Sequence, residues 1–156
     1  MLSGAAYQCF RHIMAQVDKS VLVAHSALRM FELVDAVERY PEFLPWCGGS
    51  ACNFRDAGTT RATLHINYRG IRQSFSTENT KFAPHLMHIK LIEGPFKMLE
   101  GSWRFTELGG AACKVELSLR YEFSNRVLEK LVGPVFGYIA NTMVDAFVKR
   151  AQSIYG

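Results

Sequence analysis

Long apolar runs are missing from this chain, as are the short motifs that mark most enzyme and metal sites. No uninterrupted apolar stretch reaches the roughly 18 residues that a membrane-spanning helix requires. The sequence contains no HExxH, GxSxG, GxGxxG or GxxxxGK[ST] motif, so the local signatures of zinc peptidases, serine hydrolases and nucleotide-binding loops are absent. His85 and His88 form an HxxH pair in a predicted strand, where the two rings do not converge, and no metal site is predicted.

Cysteine is scarce, and none of the 4 cysteines belongs to a CxxC pair. Cys47 and Cys52 lie on either side of two glycines, so a bridge between them is conceivable, but the chain has no disulfide framework. This usage favours a reducing compartment. We therefore expect a cytoplasmic location.

Neither sign of charge dominates the chain, because it has 18 basic and 14 acidic residues and a net charge of only +4. A mixed, solvated surface is the simpler interpretation of this balance. The sharper interpretation is docking on an acidic partner such as RNA or anionic lipid.

The most informative feature that is present is a long amphipathic helix, predicted from Ser124 to Gly156. Its apolar residues recur in pairs every four positions and place a broad stripe on one face. Gly133-Pro134 predicts a kink, which fits either a bend that follows the sheet or a hinge that opens a cavity mouth. One such helix cannot bury its stripe alone and needs a sheet to pack against.

Period-two alternation predicts that sheet. A first strand at Gln16–Val23 precedes two short helices, Ala27–Val34 with Ser26 as its N-cap, and Val37–Phe43. Further strands are predicted over Ala51–Asp56, Thr60–Tyr68, Ile71–Lys81, Leu86–Ile92, Met98–Leu108 and Cys113–Phe123. The order indicates an α+β fold with an antiparallel sheet of about six or seven strands. Residues 15–156 are expected to form one domain, and residues 1–14 a disordered lead or a start site assigned too early.

Aromatic residues are plentiful and make up 12% of the chain. Packing in a core explains most of them. Yet a single helix over a wide sheet often leaves a space lined by aromatic and aliphatic side chains, which suits an apolar ligand. The proline-rich segment Tyr40–Trp46 is then expected to form the entrance to that space.

Several segments resemble the coenzyme Q-binding, START-like (SRPBCC) family, whose members were formerly described as oligoketide cyclase or lipid transport proteins. The matching segments are Tyr40-Pro-Glu-Phe-Leu-Pro-Trp-Cys47, Glu93-Gly-Pro-Phe-Lys97, Trp103-Arg-Phe105, Phe147-Val-Lys-Arg-Ala151 and Ile154-Tyr-Gly156. The resemblance covers Ala15 to Gly156. It implies a helix-grip fold, in which a curved antiparallel sheet wraps the C-terminal helix and leaves a hydrophobic tunnel between them. It also implies non-catalytic binding of ubiquinone or a related polyisoprenoid lipid, with no cofactor besides that ligand.

The resemblance further implies which residues form the tunnel and its mouth. The positions that match the family are Tyr40, Pro41, Phe43, Leu44, Pro45, Trp46, Pro95, Phe96 and Trp103. The apolar stripe of the helix adds further predicted ligand contacts, namely Phe136, Ile139, Met143 and Phe147.

Two other functions stay open. The family also includes bacterial ribosome association toxins, so binding to the large ribosomal subunit and inhibition of subunit association is the alternative, which the net positive charge favours. Polyketide cyclase or aromatase activity is the second alternative, but its candidate polar residues, such as Tyr68, Gln73 and Arg104, are scattered. The expected partners are therefore a polyisoprenoid quinone or other lipid, the large ribosomal subunit, and a membrane surface in transient contact. The resemblance also implies that the cytoplasmic location is of bacterial type, with peripheral contact at the inner membrane as the alternative.

Overall fold

The computed structural model describes residues 14–156, which form a seven-stranded antiparallel sheet with a long helix on one face. The predicted lead lies outside the described residues apart from Met14, which begins the first strand. In chain order the elements are β1 (Met14–Val23), α1 (Ala27–Asp35), a 3₁₀ helix (Val37–Glu42), β2 (Cys47–Arg55), β3 (Thr59–Tyr68), β4 (Ile71–Phe82), β5 (Leu86–Glu93), β6 (Phe96–Glu107), β7 (Cys113–Phe123) and α2 (Arg126–Tyr155). The α+β fold and its element order are confirmed.

The sheet is a meander with one crossover. Its strand order is β1-β7-β6-β5-β4-β3-β2, so β1 pairs with β7 while the later strands pair with their neighbours in sequence. The register shifts twice within the β2–β3 pair, between Ser76 and Thr77 in β4, and between Phe96 and Met98 in β6. Irregularities of this kind bend strands and increase their twist.

The inner face of the sheet is apolar because alternate residues of its strands are apolar. In β7 the buried apolar residues are Cys113, Val115, Leu117, Leu119, Tyr121 and Phe123, as the alternation predicts. A shift of one residue would expose this whole set, so burial of one face determines the register.

The two short helices that follow β1 are of different kinds. The Ser26 hydroxyl caps α1 by accepting a hydrogen bond from the Arg29 amide at 3.2 Å, as predicted. The second segment is a 3₁₀ helix rather than an α-helix. Pro41 lies inside it and supplies no amide hydrogen, and the residue before a proline is disfavoured in the α region.

The long helix α2 begins at Arg126, where the Asn125 side chain accepts a hydrogen bond from the Leu128 amide at 2.9 Å. It continues without interruption through Pro134. By length and composition α2 resembles a membrane span, because an 18-residue window reaches a mean hydropathy of 1.4. Polar residues interrupt this window, so a search for uninterrupted apolar runs does not detect it. Its buried residues nevertheless pack against the sheet, so α2 acts here as a core helix.

The cysteines provide a simple test of this packing. Cys47, Cys52 and Cys113 are free thiols, so the conceivable bridge between Cys47 and Cys52 is not formed. Burial raises the pKa of Cys113 to about 11 and also raises the pKa of Cys47, which suppresses the reactive thiolate. We expect a maleimide to modify Cys52 in the folded protein and to spare the other two, as measured by peptide mapping. Equally rapid modification of Cys113 without denaturant would contradict the packing.

Candidate functional site

A cavity of about 70 Å³ lies between α2 and the inner face of the sheet. Strands β3 to β7 supply most of its wall, including Ala62, Leu64, Phe75, Met87, Leu99 and Leu117. On the opposite side α2 contributes Phe136, Ile139, Ala140 and Met143, and the segment around α1 and the 3₁₀ helix contributes Val34, Val37 and Tyr40. The wall is therefore almost wholly apolar.

Two aromatic clusters explain why space remains here. Phe136 packs against Tyr121 at a ring-centroid distance of 4.7 Å and against Phe96 at 4.9 Å. Phe147 packs against Tyr40 at 5.3 Å and Trp103 at 5.4 Å. Phe136 and Phe147 are separated by about 16 Å along the helix axis. The side chains that α2 presents between them are smaller or more flexible, so the sheet is not fully covered there.

The predicted site residues divide into those that line the cavity and those that support it. Tyr40, Trp103, Phe136, Ile139 and Met143 line it. The predicted contacts Phe96 and Phe147 are buried in the aromatic clusters instead and do not belong to the lining. The cavity is consequently shorter than the tunnel that the resemblance implies, because these rings occupy volume at both clusters.

The segment Tyr40–Trp46 has an inner and an outer side. Leu44 and Trp46 are each only 1% exposed and belong to the core. Phe43 and Pro45, and also the almost fully buried Trp46, line a separate surface groove of about 500 Å³ beside α2, and Pro41 is exposed. The structure thus packs part of the predicted entrance into the core. A charged substitution at Leu44, or at the also buried Phe96, is therefore expected to destabilise the fold and not only to weaken ligand binding. The role of this segment as an entrance stays a prediction.

Contacts on both sides hold this segment in place. The Tyr40 hydroxyl donates a hydrogen bond to the Val34 carbonyl, and burial raises the pKa of this phenol. On the outside, the Arg150 guanidinium donates to the Glu42 carboxylate at 2.7 Å and lies 5.0 Å above the Phe43 ring. The Tyr40 hydrogen bond attaches the 3₁₀ helix to α1, and the Arg150 contacts attach the segment to α2.

The Glu93–Lys97 motif is a structural turn. Gly94 has a φ of +150°, and a Cβ atom there would lie 2.6 Å from the Phe75 Cβ, so glycine permits the close approach of this turn to β4. Pro95 is buried, does not line the cavity, and accepts a hydrogen bond from the Ser124 amide at 3.0 Å. The motif therefore connects the β5–β6 turn to the start of α2.

Two polar residues in the cavity wall, Thr77 and Asn79, were not among the predicted site residues. The signal for them was present, because the alternation that directs Phe75 inward also directs every second residue after it inward. The next residue of this series, Lys81, forms a buried ion pair with Asp35 at 3.0 Å. Neither member of that pair lines the cavity.

Two proteins with related sequences carry different functional names. The chain is 43% identical over 143 residues to the ribosome association toxin RatA of Vibrio cholerae, an alignment that covers 92% of this chain and 99% of that protein. It is 28% identical over 145 residues to the mitochondrial coenzyme Q-binding protein COQ10 homolog B of Xenopus laevis, which covers 90% of this chain and 59% of that protein.

Fold and family comparisons agree with the architecture described above. A START superfamily protein from Mycobacterium smegmatis superposes with a TM-score of 0.71 at 22% identity, covering 89% of this chain and 98% of that one. At this identity the likeness concerns the fold. The family model described as polyketide cyclase / dehydrase and lipid transport matches residues 23–148. The helix-over-sheet architecture, the apolar cavity and these matches together lead to one conclusion: the chain belongs to the polyketide cyclase / dehydrase and lipid transport family and has its START-like fold.

Proposed function

We propose that this protein binds an apolar ligand in the cavity, most simply ubiquinone or a related polyisoprenoid lipid, and carries it without transforming it. The observation that supports this proposal is the apolar space between α2 and the sheet. The similarity to a coenzyme Q-binding protein favours a quinone among the apolar ligands. A cytoplasmic carrier of this kind would contact the inner membrane transiently to load and unload.

Binding requires the cavity to enlarge. A volume of about 70 Å³ lies well below the roughly 300–1,000 Å³ of sites for drug-sized ligands. Met143 is half-buried and lines the cavity, and its unbranched side chain adapts easily to a new shape. We propose that rotation of Met143, together with a small shift of α2 from the sheet, enlarges the cavity enough to admit a ring and the start of an isoprenoid tail.

The composition of the wall favours carriage over catalysis. General acid–base chemistry needs a titratable group within hydrogen-bonding reach of the substrate. Within residues 14–156, the wall side chains that carry polar atoms are Thr77, Asn79, the Trp103 indole and Tyr40, whose hydroxyl is already bonded to a backbone carbonyl. The buried pair Asp35 and Lys81 lies outside the lining. A cyclase mechanism would therefore have to recruit groups from beyond the cavity.

Filling the cavity tests the proposal directly. Ala140 is 1% exposed and lines the cavity, so Ala140→Leu places three additional carbon atoms inside it. We expect this variant to fold with unchanged or higher thermal stability and to lose lipid binding, because the ligand and the new side chain compete for the same space. Binding is measured by native mass spectrometry after incubation with a short-tailed ubiquinone. Gln152→Leu is the matched control, because it adds the same residue at an exposed position of the same helix.

Two results would contradict carriage. One is the absence of any lipid in solvent extracts of the purified protein together with no binding of added quinone. The other is full binding by Ala140→Leu, which would place the ligand elsewhere, for example in the surface groove beside Phe43.

Association with the ribosome is the second candidate function. It is favoured by the 43% identity to a protein named for ribosome association, which extends over nearly the full length of both chains. The net charge of +4 has the sign needed to contact ribosomal RNA. We propose the large subunit as the partner and inhibition of subunit joining as the consequence.

Co-sedimentation with purified ribosomal subunits tests this second function. We expect the protein to pellet with the large subunit at low salt and to dissociate steeply as salt rises, because each phosphate contact adds about one unit to the logarithmic slope. Failure to pellet at low salt would exclude the role. The Ala140→Leu variant then shows whether the two functions share a site: retained pelleting without lipid binding would make them independent.

A further inference from the structure

The inner face of β4 changes from apolar to charged along its length. Phe75 belongs to the aromatic cluster around Phe136, Thr77 and Asn79 line the cavity, and Lys81 lies beyond the cavity. At the charged end of the strand, the Lys81 ammonium forms an ion pair with the Asp35 carboxylate at 3.0 Å. Among the residues that the structure describes, no such partner satisfies the amide oxygen of Asn79.

Asn79 is a buried polar residue with an unused acceptor. The residue is 6% exposed, and its Oδ1 atom is buried without a hydrogen-bond partner among residues 14–156. Leaving a buried polar group unsatisfied costs roughly 1–3 kcal/mol. An apolar residue of similar size would avoid that cost, so the amide at this position needs a reason.

The surroundings of Asn79 indicate which kind of ligand would provide a hydrogen-bond partner for its amide. Thr77 is also 6% exposed and lines the same cavity. Residues two apart on one strand face lie about 7 Å from each other. Together the two side chains give an otherwise apolar cavity a single polar wall on β4, opposite the aliphatic side chains of Ile139 and Met143. Such a site suits a ligand with an apolar body and one hydrogen-bonding head.

The free acceptor on Asn79 indicates which functional group the head of the ligand carries. A ring hydroxyl can donate to Oδ1 and also accept from the Asn79 amide nitrogen or the Thr77 hydroxyl. A quinone carbonyl can only accept from these two donors and leaves Oδ1 unsatisfied. We propose that Asn79 and Thr77 form a head-group site for a ring hydroxyl, so that the cavity takes a hydroquinone in preference to the matching quinone. This inference rests on the proposed carriage of an apolar ligand and specifies which redox form is carried.

A trapped water is the competing explanation, because a cavity of this volume holds one and water also donates to an amide oxygen. If a permanent water satisfies Oδ1, the redox form of the ligand makes no difference to binding. If the ligand does so, the preference disappears when the amide is removed. Affinity for the two redox forms therefore separates the two explanations.

The experiment compares decyl-substituted benzohydroquinone with the same compound in its oxidised form, by titration calorimetry under anaerobic conditions. We expect the unmodified protein to bind the hydroquinone about fivefold to tenfold more tightly, as one net hydrogen bond to a buried acceptor provides. Asn79→Leu is expected to abolish this preference while raising the melting temperature of the unliganded protein, because the unsatisfied group is gone. Thr77→Val, which keeps the side-chain shape, is expected to reduce the preference without loss of folding.

Thr80→Val is the matched control, because Thr80 lies on the exposed face of the same strand. Equal affinity for both redox forms in the unmodified protein would overturn the head-group site but leave carriage of an apolar ligand intact. An equal loss of affinity for both forms in Asn79→Leu and Thr77→Val would also overturn it, since that result indicates a structural role. Binding of neither form by the unmodified protein would instead remove the proposed carriage itself.

Discussion

Replacing Asp35 with alanine is expected to lower the free energy of unfolding by about 3–5 kcal/mol, the usual cost of removing one partner from a buried ion pair. Asp35 accepts hydrogen bonds from the Lys81 ammonium at 3.0 Å and from the Thr60 hydroxyl at 2.7 Å. The Lys81 side chain is only 5% exposed, so the variant leaves its charge buried without a counter-ion. Urea denaturation followed by tryptophan fluorescence measures the change.

Two further variants show whether burial is the cause. Glu78→Ala breaks the ion pair between Arg61 and Glu78, whose side chains are 51% and 44% exposed, and is expected to cost less than about 1 kcal/mol. The double variant Asp35→Leu with Lys81→Met removes both charges together and is expected to recover part of the stability that Asp35→Ala loses, because Thr60 and Arg55 still lose their contacts with the carboxylate. If Asp35→Ala proves no more harmful than Glu78→Ala, the pair does not stabilise the junction between α1 and β4.

Phe147→Ala is expected to be similarly destabilising, with a loss of about 3–5 kcal/mol. Phe147 is fully buried and contacts the rings of Tyr40, Phe43 and Trp103 at centroid distances of 5.2 to 5.4 Å. The substitution removes the ring on which the 3₁₀ segment, β6 and α2 meet, and it leaves a cavity that the backbone cannot close. Chemical denaturation measures the loss.

The control for this prediction is a phenylalanine outside the core. Phe82 is 55% exposed at the end of β4, and Phe82→Ala is expected to change stability by no more than about 0.5 kcal/mol. Phe147→Leu, which retains most of the buried volume, should fall between the two alanine variants. A loss below about 1 kcal/mol in Phe147→Ala would show that the aromatic cluster adds little beyond the surrounding aliphatic core.

The strands and helices were largely predictable, and the main discrepancy has a tertiary cause. The alternation of β7 and the serine cap of α1 were predicted correctly because both are local features. The second strand was predicted to begin at Ala51 but begins at Cys47, because Gly48 and Gly49 contribute no side chains to the period-two pattern. A Cβ atom at Gly48 would lie 2.8 Å from the Cβ of Asn67 in β3. Glycine there serves the close approach of two strands, which no local pattern reveals.

The candidate site was harder to predict than the fold. The helix stripe identified Phe136, Ile139 and Met143 as cavity residues, because helical periodicity shows which residues share a face. It could not distinguish Phe147, which belongs to the same stripe but packs between other rings. The polar wall of Thr77 and Asn79 was overlooked because polar residues in a strand are normally assigned to the solvent face.

The order of elements, the antiparallel sheet and the family were determined by the sequence alone, because hydrophobic periodicity, helix caps and short motifs are properties of neighbouring residues. Only the tertiary structure decided where the cavity lies. Its ends depend on rings that come from distant parts of the chain, as when Phe136 packs on Phe96 and Phe147 packs on Tyr40. Its polar wall likewise exists because β4 turns Asn79 toward α2 without supplying a partner for its amide oxygen.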